Sequence, residues 1–247
     1  MGREQTKQSQ DFWTRVAELE RTTGVPRRLA QQVIAGQLSL NEALQKLAQQ
    51  DRVESLMRKH EMSRALATQV AMGHADLELV LRKSRMRAHK EANYARSLLD
   101  EAAADGRKVT FALHGSRLIE GTILAIDRYE ISVDTGGEEP EMVHKLAVKY
   151  AFAPKDAKRV RRATRYEKAV KDNPREPIVR PQDRYTCSDR RLFGYIDAAT
   201  AVRVISLEGD RFQGEIQTMS RYEFILKLKG GVTLTVFRHA LADLSEV

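Results

Sequence analysis

One cysteine, Cys187, stands in 247 residues, so no disulfide can form within the chain. Aromatic residues make up 6%, with a single tryptophan, which argues against one thick core built from large rings. Prolines number six, and three of them, Pro174, Pro177 and Pro181, crowd into eight residues. Apolar runs stop far short of the ~18 residues that suggest a membrane span. The opening stretch MGREQTKQSQDFW is polar, with no apolar segment behind it, and does not read as a secretory signal. These absences predict a cytoplasmic protein of several small, well-solvated modules, with no membrane segment.

What is present is positive charge, unevenly spread. The net charge is +8, and residues 155–184 hold eleven lysines and arginines against five acids, an excess of six. A concentrated basic segment suggests a polyanionic partner, most simply nucleic acid. The acids scattered through it also fit a solvated helix or linker.

Residues 1–91 read as a helical region. Phe12, Val16 and Leu19 mark one helical face that ends at Gly24. Residues 29–46, LAQQVIAGQLSLNEALQK, align without gaps to residues 66–83, LATQVAMGHADLELVLRK. Each copy is a helix, a glycine turn (Gly36, Gly73) and a second helix. Ser39 with Glu42 predicts a capping box, and Asp76 takes the place of Ser39 in the second copy. A DNA-reading helix-turn-helix has this outline, but neither second helix begins with a dense Arg/Asn/Gln face. Paired helical hairpins packing on each other or on a partner fit better. The helical pattern is expected to continue from Lys83 to Gly106.

At Arg107 the period changes to that of strands. KVTFAL (108–113), RLIEGTILAI (117–126), YEISVDTGG (129–137) and EMVHKLAVKYAFAP (141–154) predict short strands that stop at Pro154. Gly121 in mid-strand predicts a sharp bend or a close backbone approach. Residues 155–187 form a basic linker, predicted helical at first and extended later; fully extended it reaches about 100 Å. A helix capped by Ser188 and a second set of strands follow.

The two strand regions match at a constant offset of 93 residues. Val109/Val202, Gly121/Gly214, Ile123/Ile216, Arg128/Arg221, Tyr129/Tyr222, Glu130/Glu223, Gly137/Gly230, Val143/Val236 and Ala147/Ala240 are identical. A third Arg-Tyr-Glu at 165–167 lies in the linker and is expected outside any strand.

Each strand unit resembles the Sm-like domain of bacterial Hfq, a family of RNA chaperones. LEGDRFQGEIQTMSRYEFIL (207–226) resembles its first motif, and VFRHAL (236–241) its Tyr-Lys-His-Ala stretch. VHKLAV (143–148) is the more distant copy. The resemblance implies an α+β multidomain chain. A helical region (1–91) precedes two small, bent, five-stranded Sm-like barrels (92–154 and 188–247), each with a short N-terminal helix, joined by linker 155–187.

It further implies single-stranded RNA, U-rich or A-rich, as partner and a chaperone or post-transcriptional role. Arg128, Tyr129, Arg221 and Tyr222 fall where the family binds uridines near the pore, with Lys145, Phe237, Arg238 and His239 beside them. In the first unit Leu146 replaces the histidine. The family's distal-face tyrosine is replaced by Ala112 and Ile205, leaving Gln213 as the polar contact there and Glu120 in the first unit. The family's arginine-rich rim is absent, Ala103-Ala104 and Ile196-Asp197 standing in its place. Ring formation implies a homo-oligomer, either three chains in a pseudo-hexamer or six chains in two rings.

An enzyme is not expected. Asp134-Thr135-Gly136 matches an aspartic-protease tripeptide, but the duplicate position is Lys227-Leu228-Lys229, so no second aspartate is built in. Histidines 60, 74, 89, 114, 144 and 239 show no metal-ligand spacing. No cofactor is implied. The alternative to an RNA binder is an oligomeric scaffold or transcription-associated regulator whose N-terminal helices bind protein or DNA.

Overall fold

The computed structural model describes residues 2–247; Met1 of the polar opening stretch lies outside the described residues. The described residues divide into two compact units, one ending at Ser84 and the other spanning 85–247. No helix among the described residues is long and apolar enough to cross a membrane.

The first unit contains α1 (Gly2–Thr23), α2 (Arg27–Ile34), α3 (Leu40–His60), α4 (Arg64–Ala71) and the start of α5 (Leu77–Asn93). Ser39 and Glu42 form the predicted capping box, and Asp76 accepts from the Leu79 N–H at 2.7 Å. The repeat is longer than the 18-residue alignment. Gly24 and Glu61, 37 residues apart, both adopt left-handed backbone after a long helix. Val16 and Val53 are buried at the same offset, as are Ala30 and Ala67. Thus α3 closes the first copy and opens the second.

The second unit opens with the rest of α5, but the helix does not run on to Gly106. It breaks after Asn93 and restarts as α6 (Leu98–Asp105). No proline or glycine marks the break. A distant acid makes it: Glu223 accepts the Leu98 N–H at 2.5 Å, a donor that a continuous helix would have used internally. The next strands are β1 (Lys108–Leu113), β2 (Arg117–Ile126), β3 (Glu130–Asp134), β4 (Glu141–His144) and β5 (Val148–Phe152). In the linker, α7 (Ala157–Ala163) and α8 (Lys168–Lys171) flank β6 (Arg165–Tyr166). Then come α9 (Asp189–Asp197), β7 (Ala201–Ser206), β8 (Asp210–Met219), β9 (Glu223–Leu228), β10 (Thr233–Phe237) and β11 (Leu241–Glu246). The third Arg-Tyr-Glu is therefore not strand-free: Arg165 and Tyr166 pair with Arg211 and Asp210 of β8. Ser188 sits at the N-cap of α9 but its side chain makes no capping bond.

The α+β class holds, with helices followed by one antiparallel sheet. Its order is β11-β7-β8-β9-β10-β5-β1-β2-β3-β4, with β6 attached to β8. The strands form one continuous sheet, because β10 of the second repeat pairs with β5 of the first. Within each half the five strands keep the same order, and irregularities recur at the same offset, between Ile123/Ala125 and between Ile216/Thr218. Gly121 and Gly214 are where backbones close in. A Cβ on either would overlap a carbonyl oxygen of the next strand, Asp134 or Lys227 respectively.

The β5–β10 pairing is short, Thr235 with Ala151 and Val236 with Tyr150. Side chains therefore secure the junction. Beside β1 the ladder steps from Tyr150 to Val148, leaving Lys149 out of register. Such a bulge re-aims a side chain. Lys149, only 3% exposed, donates to Glu208 Oε2 and Asp210 Oδ2, both at 2.6 Å. The Gly115 N–H donates to Glu208 Oε1 at 2.6 Å, and His114 Nδ1 lies 3.3 Å from the same atom. Burial alone would raise the Glu208 carboxyl pKa, but the Lys149 bond and the Gly115 N–H more than reverse it. The same bulge in the second repeat carries Ala242. Each repeat also enters its neighbour's core. Phe237 packs with Phe111, Ile131 and Val133 of the first, while Tyr150 and Phe152 pack with Phe212 and Leu244 of the second.

Replacing Lys149 with alanine leaves two carboxylates facing each other without a cation. A loss of roughly 3–5 kcal/mol is expected, read as a lower urea midpoint. A loss under about 1 kcal/mol would show that the junction is held elsewhere.

Candidate nucleic-acid interface

The two Arg-Tyr-Glu turns join β2 to β3 and β8 to β9, and their backbones are framed alike. The Asp127 N–H donates to the Glu130 carbonyl at 2.9 Å, and the Ser220 N–H to the Glu223 carbonyl at 2.8 Å. The Lys145 N–H meets the Tyr129 carbonyl at 2.8 Å, and the Arg238 N–H the Tyr222 carbonyl at 2.9 Å. Asp and Ser open such turns readily because their side chains tolerate the tight backbone. With the backbone held from behind, the tyrosines project: Tyr129 is 59% exposed and Tyr222 51%. The Arg128 guanidinium lies 5.1 Å from the centre of the Tyr129 ring, and that of Arg221 5.2 Å from the Tyr222 ring. Each turn thus offers an aromatic face and a delocalised cation together.

The residues behind the turns face inward. Arg238 is buried, donating to the carbonyls of Ser220 (3.0 Å), Arg221 (3.3 Å) and Cys187 (2.6 Å) and to Asp189 Oδ1 (2.8 Å). Its Nε has no partner among the described residues. Lys145 does the smaller version of this work, reaching the carbonyls of Asp127 and Arg128. His239 is buried with Nε2 2.9 Å from the Val148 carbonyl, and burial with the nearby Arg184 pushes its pKa down to about 4. Phe237 lies in the first repeat's core. Gln213 is exposed in the first half of β8, whereas the Arg221-Tyr222 turn follows that strand's other end. Of the nine residues singled out from sequence, Arg128, Tyr129, Arg221, Tyr222 and Gln213 are thus exposed.

A cavity of about 460 Å³ adjoins the second turn, with Tyr222, Arg221, Tyr94, Arg184 and Arg238 in its wall. Tyr94 and Arg184 escaped sequence reasoning. Tyr94 lies at the α5 break, its carbonyl accepting the Arg221 N–H at 3.1 Å and its ring 5.1 Å from Lys90 Nζ. Arg184 folds the linker back, donating to the carbonyls of Ile178 at 2.9 Å and Val179 at 3.0 Å. The only available signal was an arginine in the proline-rich half of the linker. Helix α5 is tied to α9 beside this site by Arg85–Asp197 (2.7 Å) and Lys90–Asp189 (2.6 Å).

The two glutamates of the turns differ in environment. Glu130 is exposed, while Glu223 is buried beneath α6. Burial pushes the Glu223 pKa up to about 7; the Leu98 N–H opposes the rise, and Glu101 and Asp100 add to it.

No protein-family model matches this chain, and no curated protein matches it. Solved structures do match. One titled "1.55 A Crystal structure of the pleiotropic translational regulator, Hfq" is 24% identical, with a TM-score of 0.22, over 23% of this chain and 93% of that one.

A glutamate whose folded pKa of about 7 exceeds its ordinary 4.5 binds a proton more tightly when folded. Its stabilising effect is present below 4.5 and lost as pH rises through about 7. Glu223→Gln keeps an acceptor for Leu98 and removes the titration. Urea denaturation should show the variant losing less stability than the parent between about pH 5 and about pH 8, by up to roughly 3 kcal/mol. Parallel pH curves would exclude the assignment.

Proposed function

We propose that this protein is an RNA-binding protein of the Hfq-like, Sm-like kind. In this reading it has two Sm-like barrels in tandem behind a helical region and acts as a chaperone or post-transcriptional regulator, without catalysis, in the cytoplasm. The observation behind it is the pair of identically framed turns, each presenting an exposed tyrosine with a guanidinium on its ring. Unpaired bases stack on such faces whatever their sequence, and arginine reaches phosphate or base edges. The cavity beside Tyr222, walled also by Tyr94 and Arg221, makes the second turn the stronger contact. The excess of six positive charges in 155–184 adds a long-range attraction for polyanions.

Binding of U-rich and A-rich oligonucleotides by the full chain, measured across a salt series, tests this. Affinity should fall as salt rises, and Tyr222→Ala should weaken it by about five- to a hundredfold, as loss of one stacked base does. Tyr129→Ala should have the smaller effect. No binding at low salt, or none lost in the Tyr222 variant, overturns the reading. It would leave the scaffold alternative, with the helical repeats recruiting protein or DNA.

Assembly follows from the sheet ends. Among the described strands, β4 and β11 each have one unpaired edge. They correspond by repeat position to β10 and β5, which pair with each other inside the chain. A second copy offering β11 to β4 would repeat that strand pairing, though without the Lys149 anchor, and three chains could close a ring of six repeats, or six chains two rings. A trimeric or hexameric mass in solution is expected, and a stable monomer at micromolar concentration overturns it.

A further inference from the structure

The first repeat has a second recess, between α7 and the β1–β2 hairpin, with a volume of about 650 Å³. Beneath it lie Tyr150 and Phe152, largely buried in the core, whose ring centres are 6.3 Å apart at an interplanar angle of 25°. At the corresponding positions the second repeat has Asp243 and Ser245, and where the first has Leu118 the second has Arg211. The first repeat alone is thus apolar and aromatic on this face. Part of that surface seats α7, since Val160 is buried against the same core. The seating is incomplete. Leu118 remains 62% exposed and Tyr166 57% exposed, although both line the recess.

The charge around the recess is one-sided. Arg117, Lys149, Lys158 and Arg161 line it against a single acid, Asp210. Lys149 is engaged by Glu208 and Asp210, and Arg117 by Glu141. Lys158 and Arg161, on α7, are exposed, and their side chains make no hydrogen bond or ion pair with any described residue. The Tyr166 ring at the edge already carries the Lys171 ammonium 4.0 Å from its centre. An apolar, aromatic surface under two unengaged cations matches a ligand with a flat ring and an anionic end.

From this geometry we infer that the recess beneath α7 binds a nucleoside monophosphate. The base lies on the exposed Leu118–Tyr166 surface, above the buried Tyr150 and Phe152 rings, and the phosphate is held by Lys158 and Arg161. The volume is ample for one nucleotide, and α7 supplies both the wall and the cations. This site uses none of the residues of the Arg-Tyr turns, so it stands or falls independently of RNA binding there.

The test is titration calorimetry of the full chain with AMP at low salt, with adenosine and inorganic phosphate as separate ligands. AMP should bind saturably and at least about tenfold more tightly than either fragment, since both ends of the ligand are read. Lys158→Glu combined with Arg161→Glu removes the phosphate contacts. Leu118→Trp fills the recess and leaves its charge intact. All three positions are exposed, so melting temperatures should stay near the parent's, and each variant should weaken AMP binding at least about tenfold. Absence of saturable AMP binding overturns the proposal. So does AMP binding no tighter than inorganic phosphate, which would mark a charge effect only. Unchanged affinity in a folded Leu118→Trp protein overturns the placement of the base. Should that variant melt early, the charge-reversal pair decides by the same criterion.

Discussion

The junction between β5 and β10 rests on one buried cation. Lys149 is taken out of register by a bulge and delivered to Glu208 and Asp210 of the other repeat. Desolvating an ammonium costs several kcal/mol, and only close carboxylates and complete hydrogen bonding offset it. Two carboxylates lie at 2.6 Å here, with Gly115 and Ser206 donating to the same acids. The rest of the second unit follows from this contact. Once β5 lies beside β10, Phe237 can fill the first core, Tyr150 and Phe152 can join the second, and His239 can reach the Val148 carbonyl. Short backbone pairing alone would leave that edge weakly specified.

Duplication gave two backbones of one kind, and position in the sheet then gave their side chains different work. The turn of the second repeat sits against α6, so Glu223 is buried and terminates a helix break; Glu130, at the outer repeat, stays in water. Arg238 is drawn inside by four oxygen partners where Lys145 makes only two contacts. The bulge that carries Lys149 in one copy carries Ala242 in the other. The inner junction thus has an ionic anchor that the residues at the outer edges do not reproduce. The tyrosines remain exposed in both copies, leaving two similar aromatic faces on one chain.

Much of the fold was legible in the residues. The offset of 93 located both strand sets, and Gly121 and Gly214 announced the close approach of their backbones to Asp134 and Lys227. Ser39 with Glu42, and Asp76, marked true helix starts. These are local features, set by side chains within a few residues of the backbone they control. Others were not legible. The break at Tyr94–Ser97 has no local breaker, and Arg165-Tyr166 has no strand pattern, since each depends on a partner far along the chain. Among the candidate contacts, Tyr129 and Tyr222 were readable as exposed. The inward turn of Arg238, His239 and Phe237 was not, because a sequence motif does not say which strand will cover it.

By itself, the sequence determined the duplicated units, their strands and turns, the helical repeats before them and the basic segment between. Each of these is fixed by periodicity, glycine placement or charge within a short window. Only the tertiary structure decided that the two strand sets share one sheet, which cations are spent in the interior, and which remain free beside an aromatic surface. Those outcomes depend on burial and on partners roughly 60 to 130 residues apart, as for Lys149 with Asp210, Glu223 with Leu98 and Met219 with His89.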